Sequence, residues 1–128
     1  MSEEIIDQII GKYEKKEINE ESGFGNEFFL DLEKDNNKHL RFVFTMTTVG
    51  KFGRMGETWE GNGIFRGDHF ALIIEKQNSW VENTQGQRVD NEVKTKETLP
   101  IELYPHFGVV AVFHKKINRI VTLDKMQH

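Results

Sequence analysis

The chain contains no cysteine and only two prolines, two tryptophans and two tyrosines in 128 residues. Without thiols there is no disulfide framework, no thiolate zinc site and no cysteine nucleophile. No apolar run approaches the eighteen or more residues of a membrane-spanning helix. The opening Met1-Ser2-Glu3-Glu4 is acidic where a secretory leader is basic, and Asp7 and Gln8 interrupt the first apolar group. A cytoplasmic protein with no membrane partner is therefore expected. Positive charge is also scarce: 17 Lys and Arg stand against 21 Asp and Glu, a net charge of -4. That balance speaks against nucleic acid as a partner. What the chain has in excess is phenylalanine, ten in all, within an ordinary globular composition of 37% hydrophobic and 30% charged residues. One domain spanning 1-128 is expected, large enough for one core.

Ser2, Glu3 and Glu4 read as the capped, acidic first turn of a helix. Ile5, Ile6, Ile9 and Ile10 give it one apolar face, and Gly11 ends it. After that the period changes to two. Leu40, Phe42, Phe44 and Met46 alternate with Arg41, Val43, Thr45 and Thr47, and Phe28, Leu30 and Leu32 alternate upstream. Between them Asp35-Asn36-Asn37-Lys38 is a turn cluster, with both asparagines suited to positive φ. A two-residue loop would mix the faces, whereas a three-residue loop sets Leu32 opposite Phe42, Leu30 opposite Phe44 and Phe28 opposite Met46. A two-residue Gly67-Asp68 turn likewise pairs Phe65 with Phe70, Gly63 with Leu72 and Gly61 with Ile74, and leaves Trp59 near Lys76. Farther on, Leu99, Ile101 and Leu103, then Val109, Ala111 and Phe113, then Val121 and Leu123, supply further core faces.

The predicted strands are 11-20, 25-34, 39-49, 55-66, 69-77, 94-104, 107-115 and 118-126. Eight antiparallel strands joined mostly by hairpins specify an all-β protein, an up-and-down β-barrel with a short N-terminal helix. The polar stretch 78-93 reads as a flap or, with a Gln85-Gly86 turn, as an extra hairpin. Connections alternate between the two ends. Short turns at 35-38, 67-68 and 104-106 share the helix end, while the longer connections at 20-25, 50-54 and 78-93 share the other, so binding is expected there.

The run Ile9-Ile10-Gly11-Lys12-Tyr13, a short helix entering a Gly-x-aromatic strand, resembles the calycin superfamily, the lipocalins and their cytoplasmic relatives. Lipocalins carry Gly-x-Trp there, with an arginine from the last strand across the ring. In this chain the aromatic is Tyr13 and the corresponding cation is Lys125, with Arg119 at the opposite end. The resemblance implies a lipocalin-like ligand-binding barrel.

At the loop-bearing end, strand parity puts Phe28, Met46, Trp59 and Phe113 inward, with Glu57 and Arg119 as polar members and Trp80 in the 78-93 segment. Two outcomes stay open: these side chains fill the barrel, or they line a pocket for an apolar or amphipathic small molecule. The alternative is a protein-binding module, an inhibitor, immunity or anti-defence protein, with Trp80 projecting from a surface loop. Trp80 at the mouth would favour the first and Trp80 projecting outward the second. Catalysis would need Glu57, Arg119, Tyr13 and His114 to converge, so no catalytic residue is assigned. His39, His69, His106, His114 and His128 have no metal-ligand spacing, and neither metal nor cofactor is expected. Arg66-Gly67-Asp68 is sufficiently explained as a hairpin turn.

Overall fold

The computed structural model describes residues 2–93, 101–106, 109–114 and 119–126, with side chains over 4–90, 101–105 and 120–126. One helix, α1 (Ser2–Ile9), precedes nine strands: β1 (Gly11–Ile18), β2 (Gly25–Lys34), β3 (Leu40–Gly50), β4 (Gly53–Phe65), β5 (Phe70–Asn83), β6 (Arg88–Val93), β7 (Ile101–His106), β8 (Val109–His114) and β9 (Arg119–Lys125). All belong to one antiparallel sheet, in the order β4-β3-β2-β1-β9-β8-β7-β5-β6, with β4 also paired to β5. The apolar face of α1 buries Ile6 and Ile9, while Ile5 and Ile10 pack against the same core. Asp7 on its polar face meets Lys34 at 2.6 Å.

The β2–β3 register is the one that parity requires. Leu32 faces Phe42, Leu30 faces Phe44 and Phe28 faces Met46. Asp35 N donates to the His39 carbonyl at 2.9 Å, which closes a three-residue loop. Positive φ falls on Lys38, at 65°, and not on either asparagine. The reason is that the third residue of such a loop is the one that must turn left-handed to re-enter the strand. The Asp35 carboxylate accepts from the backbone N–H of His39 at 2.8 Å and of Asn37 at 2.9 Å. These bonds, that of His39 first, hold its carboxyl below the usual range. A lowered carboxyl stabilises the fold above its unfolded value, and the effect is lost as pH falls through the folded value. Asp35→Ala is expected to lower the thermal midpoint at neutral pH and to reduce its acid dependence, as measured by unfolding at stepwise lower pH. An unchanged acid limb would argue against this loop geometry.

The β4–β5 hairpin turns at Gly67-Asp68, where Arg66 N donates to the His69 carbonyl at 2.8 Å. Phe65 faces Phe70, Gly63 faces Leu72 and Gly61 faces Ile74, as the parity argument requires. The register then shifts between Glu60 and Gly61, so that Glu60 faces Lys76 and Trp59 faces Gln77. Glu75 is thus the extra residue of a β-bulge, and it exchanges the two faces of β5 from there on. Phe70, Leu72 and Ile74 lie on the core face before the bulge; Gln77, Ser79 and Val81 lie on it afterwards.

Two expectations for the loop-bearing end are corrected. β5 does not stop at 77 but continues to Asn83, and residues 88–93 form β6 against it, so of the two readings of 78-93 the extra hairpin is the one observed. The connection at 50-54 is no long loop, since Gly50 faces Gly53 across a two-residue Lys51-Phe52 turn. Residues 101–104 of the expected strand 94-104 lie in β7, and residues 94–100 lie outside the described residues. The first residues of β5 pair with β7 and the last with β6, on the same side. β6 and β7 are therefore two segments that successively flank one long strand.

The core is continuous. Tyr13, Phe28, Leu30, Leu32, Leu40, Phe42, Phe44, Trp59, Phe70, Leu72, Ile101, Leu103, Val121 and Leu123 are all buried. Phe28, Phe44 and Trp59 stack in sequence, with centroid spacings of 6.4 and 5.7 Å. Full burial of each such ring contributes roughly 1.5–3 kcal/mol relative to exposure.

Candidate functional site

Beyond this core, β3, β4, β5 and β6 continue as a wall, with β2 and β1 paired alongside β3 as far as Gly25 and Ile18. Its core-side face carries a row in direct register: Thr48 faces Met55, Met55 faces Val81 and Val81 faces Val89. Met55 is 55% exposed, Val81 51%, Val89 62%, and Phe52 at the β3–β4 turn 85%. Single exposed apolar residues are ordinary, but four grouped on one end of a sheet form a patch. Two adjoining depressions of about 210 and 200 Å³ lie along it, both lined by Thr48, Met55 and Val81. Met46, Glu57 and Ser79 line the inner one. Phe52, Lys51 and Arg54 line the outer one. The site is an apolar shelf with a polar inner margin.

The sequence-derived residues distribute unevenly over it. Phe28, Met46 and Glu57 follow one another in register across β2, β3 and β4, so the structure brings these three together. Trp59 lies one row deeper, fully buried beneath Phe44, and forms part of the floor.

Trp80 is neither at the mouth nor projecting from a loop. The bulge places it on the face opposite the shelf, 6% exposed. Its ring lies over Gly56, where an added Cβ would come within 2.5 Å of it, and the Arg88 guanidinium caps it at 4.4 Å. Thr47, which also faces Gly56, is buried with it. Trp80 therefore clamps the wall from behind, and with Gly56 it also lines the inner depression.

Residue 113 is opposite Glu102 and Ile120, and Ile120 is 60% exposed, whereas Val110 and Val112 face the buried Leu123 and Val121. The run Val109 to Phe113 is apolar at every position, so alternation could not fix its phase. Arg119 opens β9 opposite His114. The side chains of Phe113, His114 and Arg119 lie outside the described residues.

Sequence parity missed Phe52, Met55, Val81 and Val89. Their signal was one apolar residue on each side of the Gln85-Gly86 turn (Val81, Val89), whose facing becomes readable only once the bulge is known.

The opposite end carries the helix. The Tyr13 hydroxyl donates to the Ile9 carbonyl at 2.7 Å, tying β1 to the helix, and burial raises its pKa. Lys125 Nζ stands 6.0 Å from the Tyr13 ring centroid. His69 Nδ1 lies 2.6 Å from the Asp68 carboxylate, and its ring packs 5.1 Å from that of Tyr104. Among the described residues no group of three His, Cys, Asp or Glu side chains could hold a metal ion, and no helix is long and apolar enough to cross a membrane. Comparison with family models, curated proteins and solved structures returned no match to this chain.

Proposed function

We propose that the sheet curls into an eight-stranded calycin-like barrel that binds an apolar or amphipathic small molecule on the shelf at its loop-bearing end. Support for the barrel comes from the pairing pattern, in which β1 carries β2 on one side and β9 on the other while β5 carries both β4 and β7. Lys125 over Tyr13, beside Gly11, supports the calycin-like reading. The observation that carries the function is the exposed row Met55–Val81–Val89, continued by Phe52. Apolar side chains stacked directly across strands present a continuous surface, and covering each contributes on the order of 1 kcal/mol. Glu57 and Ser79 at the inner margin would orient the polar end of the molecule.

The shallow depressions over a floor closed by stacked aromatics favour a second reading, a protein partner seated on the same shelf. Broad apolar patches with polar rims suit such contacts. Phe52, not Trp80, is then the anchor.

Anilinonaphthalene sulfonate, an amphipathic fluorescent probe, tests the first reading. The wild-type chain is expected to bind it, and Val81→Asp to weaken binding at least about tenfold, a loss of roughly 1.4 kcal/mol. Equal probe affinity in wild type and a folded Val81→Asp chain would overturn the reading. Phe52→Ala separates the two readings, because retained probe binding with loss of a captured partner favours the protein contact.

A further inference from the structure

We infer that the outer edge of β6 is an association edge for a second copy of this chain, joined about a two-fold axis through Val89. Among the described residues β6 pairs on one side only, with β5, and stands last in the sheet order. Asn83 N donates to the Gln87 carbonyl at 2.9 Å, which fixes the hydrogen-bonding phase of the hairpin. In an antiparallel pair the phase alternates, so Val89 directs its N–H and C=O toward β5 while Arg88 and Asp90 direct theirs to the other edge, with which no described residue pairs. Unpaired backbone groups on a sheet edge are a template for another strand.

The side chains choose both the occupant and the register. Odd-numbered residues of β6 share the shelf face, so two copies can pair face to face only if a residue meets one of the same parity. Centring the axis on residue 88 sets Arg88 against its own copy. A centre at residue 90 sets Asp90 against Asp90, and a centre at 91 sets Asp90 against Glu92. Each of these opposes like charges. Centring on Val89 sets Arg88 against Asp90 of the second copy, twice, in the two positions whose backbone groups point outward. That register forms four backbone hydrogen bonds and two ion pairs.

On the other face the same register places Val89 beside Val89. The row Met55–Val81–Val89 then continues into its copy as one unbroken apolar strip. Arg88 is already held in place for this role, by Asp90 of its own chain at 2.9 Å and by stacking on Trp80. Alternating signs at Arg88 and Asp90 thus make a charged edge, which would ordinarily repel another strand, complementary to itself.

Sedimentation equilibrium of the full chain tests this. The wild type is expected to approach twice its 15.0 kDa mass with rising concentration. Asp90→Pro removes an outward N–H without touching the bonds to β5 and should weaken association at least tenfold with the fold intact. R88D and D90R chains should each fail to self-associate, yet pair when mixed in equal amounts, which their altered intrachain contacts cannot explain. A wild-type chain still monomeric at about 1 mM would overturn the inference, as would unchanged association of Asp90→Pro or no pairing in the mixture. Probe binding by the monomeric variants bears on the shelf alone, so the two readings fail separately.

Discussion

Gly61→Ala is expected to destabilise the fold by at least about 3 kcal/mol, the upper range for forcing atoms into a packed site. Gly61 lies beside the β-bulge, and a Cβ there would fall inside the contact distance of the Ile73 carbonyl oxygen, with Glu75 N at 3.0 Å. Both obstacles are backbone, so no side-chain rotation relieves them. The smaller unfolded-state entropy of alanine offsets only roughly 0.4–1 kcal/mol. The bulge must open or the register revert, and reversion would carry every residue of β5 beyond Glu75 to the opposite face. Gly50 is the matched control, because nothing lies within 4 Å of its Cβ position. Urea unfolding of both variants measures the contrast. A Gly61→Ala chain within about 1 kcal/mol of Gly50→Ala would mean that β4 and β5 are not held in this register.

Trp80→Ala is expected to cost about 3 kcal/mol, as for other large buried aromatics, and the loss should be local. The ring holds β5 and β6 to β4 through Gly56 and Arg88, on the face away from the main core. Hydrogen exchange should lose protection across Gln77–Val93 while β2, β3 and the Phe28–Phe44–Trp59 stack keep theirs. Uniform loss over the sheet would show that the wall and the core unfold as one unit. The shelf depends on this clamp, so anilinonaphthalene sulfonate binding should weaken in Trp80→Ala. Gly56→Ala should act in the same direction. Its added Cβ meets the Trp80 ring at 2.5 Å and the Met46 carbonyl oxygen at 2.8 Å, and removing Trp80 relieves only the first contact.

These two positions show where sequence reading stopped. Through Ile74, parity on β5 is correct, and each pairing from Phe65–Phe70 to Gly61–Ile74 follows from it. Trp80 has the same parity as Phe70 and Leu72, so an uninterrupted strand would carry it onto the core face. One inserted residue, Glu75, reverses that and exposes Val81 on the shelf in its place. Glu75 marks no turn and contains no glycine; its side chain only reaches out to Arg41 at 3.1 Å. The cause is on the partner strand, in the close approach that Gly61 permits. Likewise Phe28, Met46 and Glu57 were legible as neighbours because β2, β3 and β4 alternate cleanly, whereas Phe113 was not, because Val109 to Phe113 offers no polar position to set a phase.

By itself, then, the sequence determined the all-antiparallel strand content, the helix before the first strand, the β2–β3 and upper β4–β5 registers, and the aromatic core. All of these rest on local period and turn chemistry, which act over a few residues. Tertiary structure alone decided the extension of β5 and β6 into a wall, the face taken by Trp80, the phase of β8 and the apolar shelf. Those depend on how one strand's backbone fits against another distant in sequence, and a single-residue shift there exchanges inside for outside.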